Sequence, residues 1–194
     1  KPSPSKATAV AAPEPPPALA AGTAVELGKA RPGDVISIQG AAEDFSDLDF
    51  TVDRRSAYQS GPRRWVDLSG EFRGRRVYLE VHSGSEPEVM GLLDGRRLTL
   101  PDVGATEDQM TEMDARQDPS AFLTYEGHRW YFESSREIGY FENETGEGEG
   151  LYRWLFREKD GSRLLCIEKW EGQPFDVRLA RRLKVEDITV YTAA

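Results

Sequence analysis

The chain has 194 residues, of which 38% are hydrophobic and 10% aromatic, so it is long enough for one ordinary domain or two small ones with a packed core. Its formal net charge of -9 argues against broad contact with nucleic acid or an anionic bilayer, because both are bound chiefly through basic surfaces. The single cysteine excludes an internal disulfide framework and a multi-cysteine zinc site in these residues, and it favours a reducing, cytoplasmic location.

The sequence contains no run of about 18 consecutive apolar residues, so we expect no direct membrane insertion. Lys1 is not an initiator methionine, and we therefore expect that residues upstream of it are missing. The expected partner of this acidic chain is a protein, with a small molecule as the alternative and nucleic acid as a distant third.

Residues 1–24 form a segment that is rich in proline and alanine and has almost no large apolar side chain. Such a segment buries too little surface to offset the entropy lost on ordering, so we interpret it as a disordered tail or linker. The run PEPPP, Pro13–Pro17, leaves open the alternative of a proline-rich docking ligand in polyproline conformation.

Residues 25–105 are predicted to form a first unit of antiparallel β-strands, because short apolar segments alternate with turn residues. Val35, Ile36 and Ile38 belong to the first expected strand, which ends near Gly40. Leu48–Asp53 alternates apolar and polar residues with a period of two, which indicates one buried and one solvent-facing side. A strand near Leu98 and Leu100 is expected to complete the unit.

The middle of the first unit is predicted to be a β-hairpin. Trp65–Leu68 and Val77–Val81 are its expected strands, and Ser69–Gly74 is its expected loop. Gly70 and Gly74 are expected to take positive φ in that loop, because glycine has no Cβ to clash there.

Residues 106–119 form an acidic linker between the two units. Thr106 and Gln109 have the spacing of a helix capping box, and Met110 with Met113 gives a narrow apolar stripe. The linker is therefore predicted to hold a short helix, with an irregular loop or an acidic interaction surface as alternatives.

Residues 120–194 are predicted to form a second β unit. Its expected strands are Phe122–Tyr125, Arg129–Phe132, a strand around Ile138 and Tyr140, Leu151–Glu158, Arg163–Trp170, and closing strands with Leu183, Val185, Ile188 and Val190. A period of two along Leu151–Glu158 places Tyr152 and Trp154 on one face and Arg153 on the other.

Identical residues recur between the two units at a spacing of 87 positions, and the glycine and proline matches fall at predicted turns. The matched pairs are Gly40 and Gly127, Phe45 and Phe132, Gly61 and Gly148, Leu68 and Leu155, Glu71 and Glu158, Gly74 and Gly161, Arg76 and Arg163, Pro87 and Pro174, and Leu92 and Leu179. We therefore predict a mainly β protein with two tandem, duplicated small antiparallel units. These are half-barrels or curved sheets packed with pseudo-twofold symmetry, and whether they form separate barrels or one sheet is left open.

The usual signatures of catalysis and cofactor binding do not occur in the sequence, which has no Gly-x-Ser-x-Gly elbow, Walker-type lysine loop or His-Glu-x-x-His pair. We therefore assign no catalytic residue, metal or cofactor, and a non-enzymatic protein is the favoured interpretation. His82 and His128 are the two histidines and are kept as candidate binding residues. Cys166 lies on a strand built for burial, so its thiol is expected to be inert.

Two groups of basic residues could bind an anionic ligand or an acidic partner. The first contains Arg54, Arg55, Arg63 and Arg64, and the second contains Arg178, Arg181 and Arg182 with Lys184. Acidic residues lie near both groups in sequence, so surface ion pairing is the alternative explanation.

The sequence resembles the bacterial domain-of-unknown-function family 4178. The second unit carries the resemblance in YEGHRWYFESSREIGYFEN, starting at Tyr125, and in the run from Tyr152 to Tyr191; the first unit resembles a diverged copy, with PGDVISIQG from Pro32 to Gly40. The resemblance implies no established activity and no functional residues. It implies accessory proteins encoded near phage-shock, membrane-stress and polyamine-synthase-like genes, some with an upstream zinc ribbon and linker.

The leading hypothesis from the sequence is a non-enzymatic binding or assembly module that presents a groove, at the interface of the two β units, to a protein partner. Trp65, Tyr152 and Trp154 are the aromatic residues expected near that groove, with core packing as their alternative role. The rival hypothesis is an enzyme or small-ligand sensor whose site lies between the units and uses His82, His128 and nearby carboxylates.

Overall fold

The computed structural model describes residues 24–84 and 87–193, and in this range the chain is mainly antiparallel β-structure, as predicted. Nearly all of the predicted tail, residues 1–23, lies outside the described residues. No helix in the described part of the chain is long and apolar enough to cross a bilayer.

The described part of the chain contains a sheet of 11 strands and two α-helices. The strands are β1 (Val35–Ile38), β2 (Leu48–Ser60), β3 (Arg63–Phe72), β4 (Arg75–His82), β5 (Glu88–Leu92), β6 (Phe122–Tyr125), β7 (His128–Phe141), β8 (Glu149–Arg157), β9 (Arg163–Trp170), β10 (Phe175–Leu183) and β11 (Ile188–Tyr191). The helices are α1 (Ala24–Leu27) and α2 (Glu107–Arg116), and 3₁₀ turns occupy Pro101–Val103, Glu142–Glu144 and Val185–Asp187.

Neighbouring strands follow the order β11-β1-β2-β3-β4-β5-β10-β9-β8-β7-β6. An additional pairing of β2 with β7, in which Tyr58 lies opposite Tyr140, closes the strands from β2 to β7 into a ring. We call β1–β5 the first half-sheet and β6–β10 the second half-sheet. The two meet at two seams, β2 with β7 and β5 with β10, where Arg182 lies opposite Met90.

Each half-sheet has a hydrophobic core of its own on one face. The first core lies under β1, β11 and α1 and includes Ile36, Phe50 and Leu79. The second core includes Trp130 and Phe156 and is covered by residues of α2 and of the Pro101–Val103 turn, among others. Because strand side chains alternate between two faces, the other face of each half-sheet is available for contact between the halves.

The local predictions hold well where the apolar pattern is regular. Arg163–Trp170 is a strand with the predicted bounds, and the first predicted strand is present but ends at Ile38, two residues before Gly40. Burial alternates along Leu48–Asp53, as the period of two requires. Helix α2 begins after Thr106, and its capping box is present, with Thr106 and Gln109 each bonding to the other's backbone N–H.

The predicted hairpin loop at Ser69–Gly74 is wrong, because β3 continues to Phe72 and the turn contains only Arg73 and Gly74. Gly74 takes the expected positive φ, of 76°. Gly70 instead lies inside the strand, where an added Cβ would come 2.2 Å from the carbonyl oxygen of Thr51. Glycine is required there for close backbone approach and not for a turn.

The expected closing strand near Leu98 and Leu100 is also wrong. The strand that completes the first half-sheet is β5, Glu88–Leu92, whereas Leu98 makes only an isolated bridge to Val177. Leu100 precedes the Pro101–Val103 turn, and it packs in the second core. Leu98 and Leu100 therefore contribute apolar side chains to the second core and do not form a strand.

The spacing of 87 positions relates some elements of the two half-sheets and not others. Ile36 of β1 and Leu123 of β6 are separated by 87 positions, and each is buried in the core of its own half-sheet. Leu68 and Leu155 have the same spacing, but Leu68 lies in the first core whereas Leu155 faces away from the second core. A shift of one residue reverses the face of a strand, so the residue matching fails there. The duplication and its pseudo-twofold symmetry stay predictions.

Candidate functional site

Both half-sheets contribute side chains to a buried layer between them, which we call the shared layer. It contains one cluster around Tyr58, Trp65, Ile138 and Leu151 and another around Met90, Leu92, Leu164 and Ala180. It also contains four charged or chargeable residues, Asp67, Glu80, Arg153 and Glu168, each at most 6% exposed. Buried charges at this density must be paired, because removing them from water is otherwise costly.

Arg153 on β8 joins the two half-sheets by binding a carboxylate from each. Its two Nη atoms donate to the two carboxylate oxygens of Glu80 on β4, both at 2.8 Å, so this pair is bidentate across the layer. Its Nε donates to Glu168 Oε1 at 2.9 Å, since Arg153 and Glu168 lie directly opposite each other on β8 and β9. The guanidinium also lies 4.8 Å from the ring centre of Tyr58.

Indole groups complete the hydrogen bonding of the two buried carboxylates. Trp65 Nε1 donates to Glu80 Oε2 at 2.8 Å, and Trp170 Nε1 donates to Glu168 Oε2 at 3.2 Å. Burial on its own would raise the pKa of Glu168, but the positive charges of Arg153 and Arg178 lower it to about 2. Glu168 is therefore an ionised structural carboxylate and not a proton donor.

Asp67 is the exception to this pairing. It lies opposite Glu80 on neighbouring strands, and burial, followed by the like charge of Glu80, raises the pKa of Asp67 to about 7. With Asp67 protonated, two carboxylates, Glu80 and Glu168, balance two guanidinium groups, Arg153 and Arg178. The layer is thus neutral when Asp67 holds a proton.

The predicted basic group Arg178, Arg181 and Arg182 is divided by the alternation of β10. Arg178 donates to the buried Glu168 at 2.9 Å, and its guanidinium lies 5.2 Å from the ring centre of Tyr78. Arg182 binds Glu88 at 2.6 Å and Glu133 at 2.5 Å. Arg181 points elsewhere and donates to the backbone oxygen of Ala41. The three side chains therefore do not form one anion site.

A cavity of about 330 Å³ lies at the seam of β5 and β10, and we call it the seam cavity. Its walls come from both half-sheets and from the β1–β2 loop: Gly40, Ala41, Ala42, Glu43, Phe45, Arg75, Gly91, Leu93, Asp94, Arg96, Arg163, Leu179, Ala180 and Arg181. The lining combines an apolar surface with four arginines and two carboxylates. It is a concave site between the halves, the kind of place where ligands bind.

Two residues of the seam cavity are in costly environments. Phe45 is 88% exposed and has a φ of 60°, a left-handed conformation that a bulky side chain rarely adopts. Arg181 is half-buried, and within residues 24–84 and 87–193 no carboxylate pairs with it. Burial therefore lowers the pKa of Arg181, with no opposing charge to restore it.

The structure places the two histidines in different environments. His82 stacks on Trp65 with ring centres 4.7 Å apart and lines a cavity of about 120 Å³ with Glu80 and Arg153. Burial lowers the pKa of His82, so the ring is neutral at pH 7. His128 begins β7, is largely exposed, and pairs with Glu158 at 3.1 Å. His128 does not line the cavity that holds His82.

The three candidate aromatic residues are also separated. Trp65 lies in the shared layer, where it contacts Glu80. Trp154 and Tyr152 lie on the opposite face of β8 from Arg153, against helix α2. Trp154 Nε1 donates to the backbone oxygen of Met110 at 3.0 Å, and the hydroxyl of Tyr152 donates to Asp114 at 2.6 Å.

Cys166 and metal chemistry offer no further site. Cys166 is buried in β9, and burial raises the pKa of its thiol to about 12, so it is not a nucleophile at neutral pH. In the part of the chain that the structure describes, no group of three or more His, Cys, Asp or Glu residues could hold a metal ion.

Sequence reasoning missed the ions of the shared layer and the exposed, left-handed conformation of Phe45. One signal was available: Asp67, Glu80 and Arg153 each interrupt a strand between two apolar neighbours, as in Val66–Leu68. A charge in that setting is usually assigned to a solvent-facing position. Only the contact between the half-sheets makes that second face buried.

The family comparison agrees with the resemblance noted in the sequence. The model of the family described as "Domain of unknown function (DUF4178)" matches residues 31–185, which confirms the suspected family. No curated protein and no solved structure matches the chain.

Proposed function

We propose that this chain, which belongs to the DUF4178 family, is a non-enzymatic binding module whose seam cavity takes an acidic segment of a partner protein that also carries a large apolar side chain. The observation that carries the proposal is Phe45, which lines the cavity, is 88% exposed and has a strained left-handed backbone.

Phe45 contributes little to the stability of the isolated chain. Its left-handed backbone costs roughly 1–2 kcal/mol, and its exposed ring recovers almost none of this by burial. Such a residue is explained when a partner covers it, because burying an aromatic ring contributes strongly to binding. The loop is held in place by hydrogen bonds from Gly40 to Asp47 and from Arg73 to Asp44, at 2.9 and 3.0 Å.

The charges around the cavity indicate an acidic partner. Three of its arginines already have carboxylate partners: Arg75 with Glu43, Arg96 with Asp94, and Arg163 with Glu158. Among the described residues, Arg181 has only a carbonyl oxygen as its partner, so an incoming carboxylate would complete its pairing. A locally basic cavity on a chain of net charge -9 also favours one orientation of the partner over others.

The size of the cavity limits what it can hold. A volume of about 330 Å³ is near the lower end of ligand pockets, which are roughly 300–1,000 Å³, so it accepts one or two side chains of a partner. Leu93, Leu179 and Ala180 supply the apolar surface that such a side chain would contact. The expected complex is a small, reversible interface.

The proposal does not extend to catalysis. The sequence hypothesis of an enzyme used His82 and His128 together, and these residues lie in different environments with different carboxylates. General acid–base chemistry needs its groups within hydrogen-bond reach of the same reacting atoms.

The test is selection of peptides from a random library displayed on phage, followed by affinity measurement of selected peptides. We expect enriched peptides to contain an acidic residue within a few positions of a large apolar residue. Phe45→Ala and Arg181→Gln should each weaken their binding by about tenfold or more, because each removes one anchor of the interface.

Two control variants match these changes elsewhere on the surface. Phe122→Ala removes a partly exposed phenylalanine on β6, and Arg116→Gln removes an exposed arginine on α2. Both should bind the selected peptides like the unmodified chain. Enriched peptides without acidic residues, or peptides that bind Phe45→Ala and Arg181→Gln with undiminished affinity, would overturn the proposal.

A further inference from the structure

We propose that a second cavity, next to the seam cavity, binds a small molecule that carries a phosphate group. This cavity has a volume of about 300 Å³ and is lined by Gly74, Arg75, Arg76, Tyr78, Leu92, Asp94, Gly95, Arg97 and Arg178. We call it the arginine cavity, because four of its residues are arginines and only Asp94 is acidic. It goes beyond the proposed partner site, with which it shares Arg75 and Asp94.

Carboxylates outside the lining hold the arginines in place. Arg76 donates to Asp53 at 2.9 and 2.5 Å and to the hydroxyl of Ser69 at 3.0 Å. Arg97 donates to Asp176 at 2.5 Å. Guanidinium groups that are fixed in this way need little reorganisation when an anion arrives, and this favours binding.

Arg178 is the most deeply placed of the four arginines. Its side chain is only 11% exposed, and it is held by Glu168 at 2.9 Å and by the ring of Tyr78. Glu168 is in turn held by Arg153, so the floor of the cavity is tied to the ions of the shared layer. A rigid, partly desolvated guanidinium strengthens an interaction with an anion, because water screens it less.

Glycine keeps the cavity open on one side. An added Cβ at Gly95 would come 3.1 Å from Cδ of Arg75, so a larger residue would press on the Arg75 side chain that lines the cavity. Gly74, with a φ of 76°, forms the tight β3–β4 turn from which Arg75 and Arg76 start. Both glycines therefore fix the geometry of the arginines.

Phosphate matches this arrangement better than a carboxylate does. A carboxylate has two oxygens in one plane, whereas a phosphate offers three or more oxygens to share among several guanidinium groups. Its charge of about -1.5 to -2 at pH 7 is also larger than that of a carboxylate, which strengthens its hydrogen bonds to guanidinium groups. The volume leaves room for the rest of a small phosphate ester.

The experiment is a titration of the full chain with inorganic phosphate at low ionic strength, in which NMR monitors the chemical shifts of the backbone amides. We expect saturable shifts at Gly74 and Gly95. Arg97→Gln should weaken phosphate binding by about tenfold or more, since it removes a charge-assisted hydrogen bond. Arg97 is largely exposed, so this variant should fold normally.

Arg129→Gln is the matched control, because Arg129 lies on β7 over the ring of Phe122 and away from the arginine cavity. It should bind phosphate as the unmodified chain does. Phe45→Gly should also leave phosphate binding unchanged, so failure of the partner site and failure of the phosphate site can be told apart.

Three results would overturn the proposal. One is the absence of saturable shifts up to tens of millimolar phosphate. A second is unchanged phosphate affinity in both Arg97→Gln and Arg76→Gln. A third is binding of succinate that is as tight as that of phosphate, because the cavity would then select dicarboxylates.

Discussion

Arg153 and Arg181 are both shielded from water, yet the structure uses them in opposite ways. Arg153 is 7% exposed in its side chain and binds two carboxylates, one from each half-sheet. Arg181 is half-buried at the seam of β5 and β10, and in the described part of the chain it donates only to a backbone oxygen. The charge of the shared layer joins the two halves, whereas the charge of Arg181 at the seam meets, in our proposal, a carboxylate of a partner protein. Under this proposal, stability and binding are carried by different residues.

The strongest challenge to this comparison is Arg153→Ala. It would leave Glu80 and Glu168 buried without their main counter-charge, so we expect the free energy of unfolding to fall by about 3–5 kcal/mol. Urea denaturation followed by tryptophan fluorescence measures this loss. Arg116→Ala is the control, because its exposed pair with Glu112 contributes about 0.3–0.5 kcal/mol at most. A loss below about 1 kcal/mol in Arg153→Ala would show that strand pairing and apolar contacts hold the halves together without the buried ions.

The variant Asp67→Asn tests whether Asp67 holds a proton in the shared layer. The pKa of Asp67 is about 7 in the folded chain against 3.8 for the free group, so the folded state holds a proton that the unfolded state releases between these values. The contribution of Asp67 to stability is therefore fully present below about pH 4 and is lost as the pH rises towards 7, with a slope of at most about 1.4 kcal/mol per pH unit.

Glu168 acts in the opposite direction and in a lower window. Its pKa is lowered from 4.5 to about 2, so its contribution to stability is present above pH 4.5 and is lost as the pH falls towards 2.

Urea denaturation from pH 4 to 8 tests the prediction for Asp67. The free energy of unfolding should decline less steeply with rising pH for Asp67→Asn than for the unmodified chain. Parallel curves would mean that Asp67 is ionised in the folded layer, next to Glu80 and the guanidinium groups of Arg54, Arg153 and Arg178.

Phe45→Gly tests the seam side of the comparison. Glycine relieves the left-handed strain at φ 60° but adds entropy to the unfolded chain, so we expect the free energy of unfolding to rise by about 0.5–1 kcal/mol. Thermal unfolding measures this gain. Phe45→Ala removes the same ring without relieving the strain, and it should show no gain. A clear loss of stability in both variants would mean that the ring stabilises the loop and is not reserved for a partner.

Arg181→Gln should change stability least. The substitution removes a half-buried charge that has no carboxylate partner among the described residues, but it also removes the hydrogen bond to the backbone oxygen of Ala41. Because these two effects oppose each other, we expect a change of less than about 1 kcal/mol. The same denaturation experiment applies, and peptide binding should fall in parallel measurements. A loss as large as that of Arg153→Ala would place Arg181 among the structural charges and remove the contrast.

Much of the fold could be predicted because its strands carry local signals. The period of two along Leu48–Asp53 and the apolar run Arg163–Trp170 need no distant contact to be recognised. The capping box at Thr106 is likewise local, since it depends on residues three positions apart. The hairpin at Ser69–Gly74 was misplaced because Gly70 allows close approach to Thr51, nineteen positions away, and a glycine in the sequence does not reveal whether it serves a turn or such a contact.

The candidate sites could be predicted only in part. The arginines of β10 were recognised as candidates, but their alternation sends Arg178 and Arg182 to one face and Arg181 to the other. Trp65 was placed between the halves, as the structure has it, whereas Trp154 packs on α2. The spacing of 87 positions could not show which of these residues lie between the halves, because a shift of one residue exchanges the two faces of a strand.

By itself, the sequence determined the β class, most strand positions, the α2 helix and the burial of one face of each strand. Tertiary structure alone decided that β2 meets β7 and β5 meets β10, and hence that Arg153 reaches Glu80 and that Arg181 lines a cavity. The physical reason is that periodicity records how each residue is placed along its own strand. The pairing of distant strands depends on the packing of the whole sheet. The local sequence therefore does not show which charged residues will meet when those strands pair.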